Sequence, residues 1–317
     1  PVLASLPFAM LVEAPPADNA GYTNAAWLVR RMTVTQVPSP RAFLALHAAA
    51  RSRAAAPRPF LGLGDPVVTG DDSAGRAALE NLATSCREAA PMPAALLRAL
   101  APLHDTAGEL RTAARALGGD EGSILLAAAA TESGLRAQPL DQYRVLYFAT
   151  HGLLPGELHC QAEPGLVLSP PPAPAASTDS DGLLEAGEVA MLKLNADLVV
   201  LSACNTAAAG GGTFGGSALE GLADAFFNAG ARAVLASHWE IPSAATAELM
   251  SDVFQRYGRE RARGLSDALR QSQLDLIRDG ATAHPYYWAA FTLIGDGDAL
   301  GGSGVATIIP QANGGTL

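Results

Sequence analysis

Two apolar runs in this chain end in residues able to do covalent chemistry. Arg144-Val-Leu-Tyr-Phe-Ala-Thr-His-Gly152 closes on His151, and Asp197-Leu-Val-Val-Leu-Ser-Ala-Cys-Asn-Thr206 contains Cys204. Both runs have the length and the Val, Leu and aromatic content of buried strands, and both stop at small or polar residues. In an open parallel sheet, the loops leaving the carboxyl ends of the strands converge on one edge, where ligands bind. Neighbouring strands ending in His151 and Cys204 would set an imidazole beside a thiol. An imidazole that takes the thiol proton yields a thiolate, which attacks a carbonyl carbon.

The elements around these runs alternate between strand and helix. Pro59-Phe-Leu-Gly-Leu-Gly-Asp65 reads as the first strand of the core and Ser123 to Ala129 as a second, with further strands at 165–169 and 231–237. Val29 to Val37 and Tyr286 to Ile294 also read as strands. Thr106-Ala-Gly-Glu109 has the spacing of a capping box, with Leu110, Ala113, Ala114 and Leu117 on one face behind it and Gly118-Gly119 as the stop. Arg41 to Ala56, Pro93 to Leu103, Thr131 to Leu140, Ser243 to Tyr257 and Ser266 to Asp279 read as helices. A second capping box, Ser217-Ala-Leu-Glu220, opens another. The pattern predicts an α/β fold, a mostly parallel central sheet flanked by helices on both faces.

The bulk properties remove several function classes. Hydrophobic residues make up 49% of the 317 and charged residues 16%, a globular composition. A net charge of −10 argues against direct nucleic-acid binding, which needs clustered Lys and Arg. The longest wholly apolar run, Ile124 to Ala130, is far too short to span a bilayer. Three cysteines without close pairing fit a reducing, cytoplasmic compartment. His159 and Cys160 are adjacent and Cys86 stands alone, so no metal site is expected. The glycines of Ala207 to Gly216 follow a strand but match neither a dinucleotide-binding nor a P-loop pattern, so no cofactor is expected. That loop and Pro170 to Asp181 read as mobile segments near the site.

Ala149-Thr-His-Gly152, Leu201-Ser-Ala-Cys-Asn-Thr206 and Ala236-Ser-His-Trp239 resemble, in order, the three signatures of the CHAT domain, a bacterial caspase-like family often attached to TPR repeats. The separation of His151 from Cys204, 204 − 151 = 53 residues, is close to the roughly 50 of caspases. The resemblance extends over Leu6-Pro-Phe8, Trp27-Leu-Val-Arg-Arg31, Gly62-Leu-Gly-Asp-Pro66, Asp181-Gly-Leu-Leu184 and Trp288-Ala-Ala-Phe-Thr-Leu-Ile-Gly295. It implies a caspase-haemoglobinase fold, with residues 1–58 an N-terminal accessory part, 59–298 the catalytic core and 299–317 a tail. It also implies a Cys204–His151 dyad without an acidic third member. Gly152 and Cys204 would supply oxyanion donors, Gly152 also being a turn residue with positive φ.

The resemblance places Ser202, two residues before the nucleophile, in the pocket for the substrate side chain preceding the cut. His238, Trp239 and Glu240 would run past the cleft, with Trp239 as a wall. Glu240 either lends that pocket an acid, favouring a basic side chain there, or is solvated. Ile241-Pro-Ser-Ala244 departs from the acidic pair that often follows the Trp in the family. The expected function is a caspase-like cysteine endopeptidase acting on protein substrates. A partner, or a TPR-like region upstream, would hold it inactive, in bacterial defence or cell death. Pro1 opens within what reads as a strand, which suggests a fragment of a longer protein. The rival readings are a catalytically silent scaffold and a hydrolase of small amides or esters, which would need a closed apolar pocket.

Overall fold

The computed structural model describes residues 6–14, 21–37, 39, 41, 44, 48, 54–70, 91–158, 161–171, 180–202, 216–239 and 241–296. The helix read at Arg41 to Ala56 lies largely outside these residues. So do the glycine-rich loop after Cys204, most of the Pro170 to Asp181 tract, and residues 299–317.

Among the described residues ten strands are present: β1 Thr35–Gln36, β2 Leu61–Gly64, β3 Ile124–Leu126, β4 Val145–Ala149, β5 Gly152–Leu153, β6 Gly165–Val167, β7 Leu183–Glu185, β8 Leu198–Leu201, β9 Ala233–Ser237 and β10 Phe291–Gly295. The helices with fully described bounds that are longer than a single 3-10 turn are α1 Ala94–Arg98, α2 Thr106–Leu117, α3 Glu132–Arg136, α4 Ala186–Ala190, α5 Gly216–Ala229, α6 Ser243–Arg259, α7 Gly264–Arg278 and α8 Pro285–Trp288. Seven strands form one sheet in the order β1-β10-β9-β8-β4-β2-β3. Every neighbouring pair is parallel except β9 with β10. A small antiparallel sheet, β5-β6-β7, stands beside it. The expected architecture is the observed one.

β4, β8 and β9 are buried on both faces, which is why they read as continuous apolar runs rather than alternating ones. Successive side chains still point to opposite faces. Val145, Tyr147 and Ala149, Leu198 and Val200, and Ala233 and Leu235 pack with α2, α6 and α7 in one core cluster. Leu146 and Phe148, Val199 and Leu201, and Val234 and Ala236 pack with α5 in the other. A third cluster joins Trp27 to Trp288, Leu274 and Ile277.

Two strand expectations are corrected. Leu28–Arg30 is a 3-10 turn, and only Thr35–Gln36 of the Val29 to Val37 stretch pairs, beside β10. Tyr286 to Trp288 belongs to α8, because Pro285 occupies the first turn and the His284 ring accepts the Tyr286 N–H, so the strand begins at Phe291.

Gly64 of β2 lies opposite Ala149 of β4. A Cβ there would lie 2.7 Å from the Ala149 carbonyl oxygen and 2.7 Å from Leu110 Cδ1. Backbone cannot yield as a side-chain tip can. Gly64→Ala should therefore destabilise by about 1–3 kcal/mol, the usual range for overpacking, and a lower denaturant midpoint with unchanged slope would show it.

No helix among the described residues is long and apolar enough to cross a membrane.

Candidate active site

The alternation of β4, β8 and β9 carries past their ends. His151 keeps the parity of Val145, Tyr147 and Ala149, Ser202 that of Leu198 and Val200, and Ser237 that of Ala233 and Leu235. All three consequently emerge on the α2/α6 face at the carboxyl edge of the sheet. There they line a cavity of about 230 Å³ with Thr150, Pro102, Leu103, Thr106, Glu109, Trp239, Ile241, Thr246 and Phe291.

His151 is 2% exposed, and its Nε2 lies 2.7 Å from the Ala101 carbonyl oxygen. A carbonyl only accepts, so Nε2 carries the hydrogen, and Nδ1 is the nitrogen that can take a proton. Burial lowers the ring's pKa from 6.5, against the pull of the Ala101 carbonyl, and this keeps the imidazole in its basic form at neutral pH. Thr150, beside it, donates its hydroxyl to the Val167 carbonyl, and the His151 carbonyl accepts from the Val167 N–H at 2.9 Å. These bonds tie the strand end to the small sheet and hold the ring in position. Gly152 does not adopt a positive φ; it continues as extended backbone into β5 opposite Leu166, which corrects the turn expected there.

Glu109 is the residue the sequence reading placed wrongly. The helix N-cap is Asp105, Thr106 already lies inside the helix, and the Thr106 hydroxyl donates to the Leu103 carbonyl. Glu109 therefore caps nothing. It lies on the buried stripe with Thr106, Leu110, Ala113, Ala114 and Leu117, at helical spacing. Its carboxylate, 3% exposed, accepts the hydroxyl of Tyr147 from β4. Burial pushes its carboxyl up from 4.5 to about 7, opposed by the Tyr147 and Ser202 hydroxyls and reinforced by the Asp105 charge. Burial and the Glu109 charge likewise hold the Tyr147 phenol well above its ordinary value, with Ser202 pulling it down. The Ser202 hydroxyl is close enough to ease both acids. Even so, its buried Oγ makes no hydrogen bond of good geometry among the described residues. The periodicity of α2 was the signal that Glu109 faces inward; the capping-box spacing masked it.

A raised carboxyl means that the folded state holds its proton more tightly than the unfolded chain. Stability from this group is complete below 4.5 and is lost as pH climbs through about 7. Relative to Glu109→Gln, the wild type should thus lose about 3 kcal/mol between pH 4.5 and 8, at about 1.36 kcal/mol per pH unit over the span from 4.5 to about 7. Guanidinium unfolding of both proteins across that range measures the difference. Parallel curves would mean that Glu109 stays solvated.

Of the remaining expected site residues, Trp239 and His238 are described. Trp239 lines the cavity and donates its indole N–H to the Tyr286 carbonyl at 2.9 Å. His238 turns to the Thr292 hydroxyl, 2.8 Å from Nε2, and burial lowers its pKa to about 4. It does not line the cavity. Cys204 and Glu240 lie outside the described residues. No grouping of His, Cys, Asp and Glu able to hold a metal occurs among the described residues.

The family model described as CHAT domain matches residues 1–296. Mouse (Mus musculus) tetratricopeptide repeat protein 28 is 34% identical over 115 residues, which are 36% of this chain and 4% of that protein. The crystal structure of the Saccharomyces cerevisiae separase–securin complex contains a chain that aligns over 83% of this one and 14% of itself, at 12% identity and a TM-score of 0.41. This chain therefore spans a small part of the length of either protein.

Proposed function

This chain belongs to the CHAT domain family, and we propose that it is a caspase-like cysteine endopeptidase in which His151 activates Cys204. The observation that carries this reading is the state of His151. It is a buried imidazole whose Nε2 is bonded to the Ala101 carbonyl and whose pKa burial lowers, and it lines a cavity shared with Ser202, two residues before Cys204 in sequence.

In this reading His151 takes the Cys204 thiol proton as the sulfur attacks the scissile carbonyl carbon. The oxyanion that forms accepts hydrogen bonds from the Gly152 and Cys204 backbone N–H groups. Collapse of the tetrahedral adduct breaks the C–N bond, and the proton held by His151 passes to the leaving amine. Water, deprotonated by the same imidazole, then attacks the thioester. Cys204 departs as the thiolate, and the carboxylic acid product is released. No cofactor takes part. A partner or an upstream TPR-like region restrains the enzyme, and its setting is bacterial defence or cell death, as the family membership suggests.

The test is labelling by a peptidyl electrophile, with the modified cysteine identified by mass spectrometry. Cys204 should react faster than Cys86 and Cys160, and His151→Ala should remove that advantage. Cys204 reactivity equal to the other two thiols, and indifferent to His151, would favour a catalytically silent scaffold instead.

A further inference from the structure

The cavity beside His151 contains an acid that the reaction above does not use. From its lining we infer that Glu109 is the specificity residue of this site, and that the pocket admits a lysine or arginine side chain immediately before the cut. This rests on the peptidase reading, and it moves the acidic role from Glu240 to a residue of α2.

A volume of about 230 Å³ falls below the roughly 300–1,000 Å³ of pockets for drug-sized ligands, and suits a single side chain. Its walls divide by chemistry. Pro102, Leu103, Trp239, Ile241 and Phe291 present apolar surface, while Glu109, Ser202, Ser237 and Thr246 present oxygen. Among the described residues no lysine or arginine lines it and none forms an ion pair with Glu109. The carboxylate is thus desolvated, and among the described residues the Tyr147 hydroxyl and a nearby serine relieve it. A carboxylate has about four lone-pair sites, so the Tyr147 bond leaves acceptor capacity for a guest. Ser202 Oγ is buried at the same cavity, close to Glu109 and Tyr147, and makes no well-formed hydrogen bond among the described residues.

Each class of guest meets this lining differently. An aspartate or glutamate would bring a second carboxylate against Glu109. A leucine or phenylalanine would satisfy the apolar walls but leave Glu109 and Ser202 desolvated with nothing gained. A lysine or arginine lays its aliphatic stem along the apolar walls and brings its cation to the two oxygen groups.

Peptidyl acyloxymethyl ketones carrying Lys, Arg, Leu or Asp at the position before the electrophile, applied to wild type, Glu109→Gln, Ser202→Ala and His151→Ala, test this directly. Lys and Arg reagents should label Cys204 fastest. Glu109→Gln should lower their rates by about 10- to 100-fold, the loss of a hydrogen bond to a charged group, with little change for Leu. Ser202→Ala, which keeps the acid, should lower them a few-fold. Labelling that depends on His151 but is fastest with Leu or Asp overturns the pocket assignment and leaves the peptidase reading standing. Labelling indifferent to His151 in every arm overturns both.

Benzamidine, a cation without an electrophile, supplies an arm that needs no working nucleophile. It should raise the Tm of wild type at pH 8 and not that of Glu109→Gln. No shift in wild type, or an equal shift in both, overturns the pocket assignment.

Discussion

Replacing His151 by Ala should lower kcat/KM for a peptide substrate by about 10²- to 10⁴-fold, the usual contribution of a positioned general acid–base. The size follows from the two steps proposed for the ring, taking the thiol proton and returning it to the amine. Without it, Cys204 attacks only through the small thiolate fraction of a free thiol. His151 is buried, and its loss leaves the Ala101 carbonyl without its donor, so folding weakens as well. His151→Gln separates the two effects. Its amide N–H₂ can restore the bond to Ala101 but cannot act as a base. Stopped assays under conditions where unfolding curves show each variant fully native provide the measurement. A loss below tenfold for both variants would remove His151 from the chemistry.

The second large effect concerns the opposite edge of the sheet. Arg144, Asp197 and Arg232 immediately precede or approach the starts of β4, β8 and β9. Asp197, 1% exposed, accepts from Arg144 Nε at 2.8 Å and from the Arg232 guanidinium. The backbone joins the same corner, since Asp197 N–H donates to the Arg144 carbonyl and Arg232 N–H to the Ala196 carbonyl. One carboxylate thereby sets the relative register of three strands whose far ends hold the site. Arg232 is 7% exposed, so Asp197→Ala would leave a buried cation without its counter-ion. Removing one partner of a buried pair typically costs about 3–5 kcal/mol, and guanidinium unfolding should show a loss of that size. Asp197→Asn should fall between the two, because its oxygen still accepts from one arginine. A loss near zero would mean that water replaces the carboxylate at this corner.

Much of the architecture was legible in the chain. β2, β4, β8 and β9 announce themselves as short apolar runs, because strands buried on both faces need no polar alternation. Their ends mark the functional edge, since His151 and Ser202 break those runs. Strand parity alone puts His151, Ser202 and Ser237 on one face.

Local pattern misled where a different neighbour decided the outcome. Tyr286 to Ile294 is apolar enough for a strand, but Pro285 and the His284 cap close a helical turn first. Thr106-Ala-Gly-Glu109 fits a capping box, a motif whose bonds all lie within four residues. Whether Glu109 bonds backward or inward depended on a hydroxyl 38 residues away, on Tyr147 of β4. The sequence by itself determined the core strands β2, β4, β8 and β9, their order of appearance, and the two residue types that could make a nucleophile. Only the tertiary structure decided that an acid from α2 reaches the same cavity as His151. The strands follow from local hydrophobicity, whereas the placement of a buried charge follows from what packs across it.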